Sequence, residues 1–220
     1  MSLYSHHRAR VGIDGNTPQE IAANETRRNQ IEIFLNSPSL SHVTLNDEDN
    51  TRPSIVSDVE TFNKRRFLFL PDSEINVGDY INHRGETYLA TDMKDNEIYP
   101  ELIAELCNET FPLSKGKTTI VVGMNELDRP IYDTIEDIIH LPCVMTDSIY
   151  SALSNAAIPL PTGALIMKIP YDADNKVAIN YEIKVRDAEY KTTEISYEYV
   201  INEVGYIEIH LQRKTGGEKG

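Results

Sequence analysis

The sequence predicts a mainly β protein, one domain preceded by an N-terminal arm that carries a single helix. Three observations lead there. After Pro38 apolar and polar residues alternate in short runs over most of the chain, the period of half-buried strands. There are 12 tyrosines and no tryptophan, and tyrosine favours strands. The one strong helix signature lies before Pro38. A length of 220 residues suits one sizeable domain, or one domain with an elaborate insertion.

Thr17-Pro18-Gln19-Glu20 reads as a helix start, with a threonine N-cap, proline in the first turn and a glutamate closing a capping box. The helix is predicted over about 18–35 and stops at Asn36-Ser37-Pro38. Its apolar positions Ile21, Ala22, Ile31 and Phe34 make a thin stripe, which suits a helix lying on something larger.

Strands are predicted over 42–46, 54–59 and 65–70. The last, RFLFL, reads as buried on both faces. The stretch INVGDYINHRGETYLATDM, 75–93, reads as a hairpin turning at Arg84-Gly85. Within it Gly78-Asp79 predicts a bend or bulge, because glycine supplies positive φ and aspartate bonds nearby backbone. Residues 98–111 read as a continuing strand, although LIAELCN also fits a helical turn. KTTIVVG, 117–123, is a strand. Residues 125–161 leave helix and strand open, and the three prolines between Pro142 and Pro161 argue against a long regular element. Strands over 164–170, 177–186, 190–199 and 205–213 complete the chain, with turns at 172–175 and 187–189. The tail, 214–220, is expected to be disordered.

Charge narrows the function. With 21 Lys plus Arg against 35 Asp plus Glu, the formal net charge is −14. Nucleic-acid affinity comes mainly from neutralising phosphates, so tight DNA or RNA binding is not expected. No stretch approaches the roughly 20 apolar residues that cross a bilayer, and MSLYSHHRAR lacks a secretory core. Folding in a cytoplasm without a membrane anchor is the expectation.

No constellation reads as an active site, and no cofactor or metal is expected. Gly12-Ile-Asp-Gly15 lacks the strand before it and the GK of a phosphate loop. Asp47-x-Asp49-x-Thr51 lacks the glycine and glutamate of a calcium loop. His140-Leu-Pro-Cys143 offers only two ligands, a weak zinc signal. Cys107 beside His83 or His140 would need a motif that is absent, and reads as a small buried hydrophobe. The basic run His6-His7-Arg8-Ala-Arg10, with Arg27-Arg28, reads as a solvated arm.

A family resemblance adds to this. KRRFLFLP at 64–71, INVGDYINHRGETYLA at 75–90, AELCN at 104–108, YKTTEIS at 190–196 and GYIEIHLQR at 205–213 together resemble the head-closure, or head–tail connector, proteins of tailed bacteriophages. In that family the GD hairpin and the final G-x-I-E-I-x-L strand close a small SH3- or OB-like β-barrel. The resemblance thus implies an arm over 1–53, a barrel over 54–213 and an insertion over about 112–165. It also implies a structural virion protein, assembled in the host cytoplasm, that forms an oligomeric ring at the head–tail interface. Such a ring links the portal or adaptor side to the tail and helps retain packaged double-stranded DNA without gripping it. The long middle and the arm depart from the family, so adaptor, stopper and tail-terminator positions all fit. The hairpin tip, Asn82, His83, Arg84, Gly85 and Glu86, is implied as a loop facing the channel or the next ring. Two other readings stay open: a β-barrel protein-binding module, and an enzyme around Cys107, Cys143 and the histidines, which would need a thiol of lowered pKa.

Overall fold

The computed structural model describes residues 17–46, 48–59, 61–94, 98–147, 163–174 and 177–214. The basic run at 6–10, Gly12–Gly15 and the tail beyond 214 lie outside them. Helix α1 (Pro18–Leu35) begins as its capping box dictates. The Glu20 N–H donates to Thr17 Oγ1 at 3.2 Å and the Thr17 N–H to the Glu20 carboxylate at 3.2 Å. Phe34 is the helix's one buried residue. Its ring lies 5.3 Å from that of Tyr99, whose hydroxyl donates to the Gln30 carbonyl at 2.9 Å. The thin stripe therefore rests on the β body through its last turns.

Strands β1 (Leu40–Leu45), β2 (Arg52–Asp58), β3 (Lys64–Phe69), β4 (Tyr80–His83), β5 (Glu86–Lys94) and β6 (Glu101–Leu106) close into an antiparallel barrel. Its order is β1-β2-β3-β6-β5-β4, and the closing pair sets Thr44 against Asn82 and Leu45 against Ile81. Phe67, Phe69, Leu45, Ile81 and Leu102 fill it, each 2% exposed or less. Strand β3 alternates where burial on both faces was expected: Phe67 and Phe69 point inward while Leu68 is half-buried.

The remaining strands form a second sheet. They are β7 (Glu109–Met124), β8 (Pro130–Asp147), β9 (Ala164–Pro170), β10 (Glu182–Val185), β11 (Ala188–Ser196), β12 (Val200–Ile201) and β13 (Val204–Arg213). The order is β10-β11-β13-β9-β8-β7, with β12 on β13. Phe111, Met167, Ile183, Ile207 and Ile209 build its core. Mainly β architecture with a barrel and an N-terminal helix is thus what the chain adopts.

The barrel's make-up differs from the expected one. It starts at Leu40, inside the stretch assigned to the arm, and is complete by Leu106. The final strand β13 pairs with β9 and β11. Once β1 meets β4 the barrel has no edge left to accept it. The switch takes one residue: the Cys107 N–H still donates to Thr87 in the barrel, and the Asn108 N–H donates to Cys143 in the sheet.

The described part of the ambiguous middle, 125–147, belongs to a long hairpin of β7 and β8, continuous through Pro142, and 148–161 lies outside the described residues. Cys143 turns its carbonyl to β7, so its neighbour Pro142 turns its own away, where the Tyr80 hydroxyl donates to it. A proline whose missing N–H faces outward breaks no ladder bond. The expected strand over 177–186 is shorter, because Tyr181 and Asn180 bond to Thr192 as a loop before β10 begins.

Barrel and sheet meet at a backbone contact. Gly78, at φ +93°, approaches Gly205 so closely that a Cβ there would stand 2.0 Å from the Gly205 carbonyl oxygen. Asp79 braces this loop, accepting from the Asn76 N–H at 2.7 Å and the Asn46 amide at 3.0 Å. Around the contact Leu89 of the barrel packs on Val144 and Tyr206 of the sheet, with Cys107 partly buried beside them.

A buried ion pair crosses the same junction. Glu105 of β6, 5% exposed, holds Lys168 of β9 at 3.3 Å and Lys64 at 2.8 Å. Lys168 also lies 3.8 Å from Glu208 and over the Tyr206 ring. Burial pushes the Glu105 carboxyl up, but Lys168 and Lys64 outweigh it and hold it below the ordinary range.

Two substitutions test the junction by denaturant unfolding. Gly78→Ala, with no space and a positive φ, is expected to cost more than about 3 kcal/mol. Lys168→Met is expected to cost about 3 kcal/mol, the low end for opening a buried pair, because Lys64 remains beside Glu105.

Candidate assembly surfaces and the barrel mouth

Of the five residues read as a hairpin tip, only three reach the surface. Arg84 (φ +53°) and Gly85 (φ +83°) form the two-residue turn, flanked by the pair His83 and Glu86. Positive φ at both turn positions suits the twist of the strands. Asn82 is half-buried, donating to the Asn46 carbonyl and accepting from the Thr87 hydroxyl at 2.8 Å. His83 is 2% exposed and points into the barrel. Its place was legible, since His83 shares the inward face with Ile81, two residues before it.

His83 sits under a polar cavity of about 290 Å³ at one end of the barrel, lined by Ser41, Ser57, Asp58, Arg65 and Arg84. Arg65 Nη1 lies 3.2 Å from Nδ1 and Ser41 Oγ 2.9 Å from Nε2. A guanidinium can only donate, so Nδ1 accepts and Nε2 carries the proton, donating to Ser41. Burial pulls the His83 pKa down, and Arg84 and Arg65 pull it further, against the opposing charge of Glu86. The Tyr88 hydroxyl donates to Glu86 at 2.5 Å, and burial helps push it up to about 12. Two weak pairs, Arg65 to Asp58 at 3.7 Å and to Glu86 at 4.0 Å, offset the guanidinium charge.

The other sequence candidates do not converge. His140 and Cys143 stand three apart on β8, hence on opposite faces, the first exposed and the second buried. Among the described residues no group of three or more potential metal ligands gathers. Burial pushes both the Cys107 and Cys143 thiols up to about 12, the reverse of an activated nucleophile.

The largest feature missed in the sequence is the outer half of the β7–β8 hairpin. From Lys115 to Val122 on β7 and from Pro130 to Ile138 on β8 every residue is exposed. Nine large hydrophobic side chains stand between Ile120 and Ile138 at 37–75% exposure. Register distributes them over both faces. Ile120, Ile131 and Ile135 continue the face that carries the core residues Phe111 and Leu113. Val121, Tyr132, Met124 and Ile138 line the opposite face. The run IVVGM, followed by IYDTIEDII, was the available signal, apolar residues at successive positions with no second period.

A second uncovered surface lies between α1 and the barrel. Ile33, Phe34, Ile55 and Tyr99 line an open, mainly apolar groove of about 760 Å³, and Ile33 is 70% exposed.

The family model of the YomX C-terminal domain matches residues 92–212. The chain belongs to the YomX C-terminal domain family. The match runs from the end of β5 through β13 and includes the whole projecting hairpin. The SPbeta prophage-derived uncharacterized protein YomX of Bacillus subtilis (strain 168) is 25% identical over 155 residues, which cover 69% of this chain and 72% of that protein. The chain is thus of phage-derived kinship. No solved structure matches it.

The barrel mouth generates a pH test. A folded pKa below the unfolded value near 6.5 means that His83 contributes stability fully present above about pH 6.5 and lost as pH falls below it. Protonation would also place a third cation against Arg65 and Arg84, with Glu86 and Asp58 opposing. Denaturation midpoints measured from pH 8 down to pH 5 are expected to fall for the natural chain, and His83→Gln is expected to flatten that decline.

Proposed function

We propose that the chain is a structural, non-enzymatic component of a phage particle that forms an oligomeric ring at the head–tail interface. In that role it joins the portal or adaptor side to the tail and helps retain the packaged DNA. The projecting hairpin carries this reading. A two-stranded ribbon is marginal alone in water, and exposed apolar patches of this extent mark interaction sites. Burying the exposed half of nine such side chains is worth on the order of 10 kcal/mol. That is comparable with the ~4–15 kcal/mol of freedom lost on association. A single contact is therefore marginal, and a closed ring, in which every subunit makes two, supplies the surplus.

Phage-derived kinship supports the setting. The net charge of −14 supports a ring that lets a duplex pass, because an acidic lumen repels phosphates. Electron microscopy of the full chain at high concentration, alone and mixed with neck fractions of a related phage, tests the proposal. Rings with a central hole wide enough for duplex DNA, or added density in the neck, are expected. Particles that remain compact single subunits in both samples would overturn it.

A further inference from the structure

We infer that the outer half of the β7–β8 hairpin of one copy seats in the groove between α1 and the barrel of a second copy. This rests on the ring reading, for which it supplies the contact. The hairpin's own build excludes the simplest alternatives. Pro112, Pro130 and Pro142 all fall at positions whose backbone polar groups turn away from the partner strand, by the alternation that Cys143 and Pro142 fix. Pro130 blunts the β8 edge of the outer half, with Pro112 and Pro142 doing so at the hairpin base, and the exposed apolar side chains stand on the two faces.

A twofold stack of two hairpins would cover one face of each and leave the other in water. Apolar residues on both faces call for insertion into a different surface. The stretch from Lys115 to Met124 extends about 30 Å at about 3.3 Å per residue. With two strands about 5 Å apart, both faces together present on the order of 600 Å² before side chains enlarge them. That approaches the about 800 Å² per partner of a stable interface, which one face cannot reach.

The same chain carries a receiving surface of matching chemistry. The groove's 760 Å³ equals roughly 25 waters at ~30 Å³ each, room for several apolar side chains from the hairpin end. Ile33 and Ile55 offer unburied apolar surface there, as Val121, Met124 and Leu127 do on the hairpin. Donor and receiver are different faces of one subunit, and such heterologous contacts generate rings or filaments.

Complementation by two assembly-dead variants tests this. Leu127→Glu spoils the hairpin end and Ile33→Glu the groove; both positions are at least 70% exposed, so both variants are expected to fold, as circular dichroism would check. Light scattering across a concentration series is expected to show multimers for the natural chain. Each variant alone is expected to self-associate on the order of 30-fold more weakly or less. Mixed in equal amounts, they are expected to form one-to-one dimers and nothing larger, since one intact hairpin meets one intact groove. Multimers of Ile33→Glu as tight as the natural chain's, or a mixture that stays monomeric, would overturn the inference and leave the ring reading standing. Filaments in place of rings, lost in both variants, would support the contact and overturn the ring. A natural chain monomeric at every concentration would overturn the contact.

Discussion

The close approach of Gly78 to Gly205 is the constraint on which the arrangement depends. A Cβ on Gly78 would stand 2.0 Å from the Gly205 carbonyl oxygen, so two backbones meet where side chains ordinarily space elements apart. That contact brings Glu105 within reach of Lys168 and lets Leu89, Val144 and Tyr206 pack without water. The ion pair adds direction where the apolar cluster adds only area. A carboxylate with two lysines tolerates little rotation of one half against the other before a buried charge is left alone. The barrel, which carries α1, and the sheet, which carries the hairpin, are thereby fixed to one another. A donor and a receiver on separate halves need such a joint if successive copies are to repeat one rotation.

The barrel mouth and the hairpin are built on opposite principles. At the mouth a chain of polar groups answers one another: Arg65 donates to His83, His83 to Ser41, and Tyr88 to Glu86. Such a network flanks the Arg84-Gly85 turn on both strands. The hairpin's demand is unmet by construction. Its inward-facing backbone groups pair across the ribbon, and its side chains stand exposed on both faces.

Much of the local structure was legible. Thr17 and Glu20 marked the helix start, and Arg84-Gly85 between two alternating runs marked the hairpin turn. What alternation cannot convey is which strand pairs with which. GYIEIHLQR shows a strand with one buried face, and that face serves equally well in a barrel or in an open sheet. The choice is made elsewhere, by β1 closing onto β4 and by the exchange of partners at Cys107 and Asn108. The proline argument misled over 125–147, the part that is described, because it weighed Pro142 by residue type without register. Pro142 is harmless where its nitrogen faces away from the ladder, and only the paired strand reveals that. His83 was misread for a related reason: a turn of two residues leaves its flanks in the strands, with their sides already fixed.

Charge and apolar surface divide the labour of specificity. At −14, two copies repel over the reach of the screened potential, about 8 Å at physiological ionic strength. The hairpin's attraction acts only at contact. Random encounters would therefore meet repulsion first, and the proposed contact would have to bury enough of the hairpin's apolar surface to repay it. The same field acts on a duplex, which carries no apolar face to offer in return. In the proposed ring, that one property, acidity, would keep stray copies apart and leave passing DNA unbound, while a short ribbon of hydrophobic side chains would decide the contact.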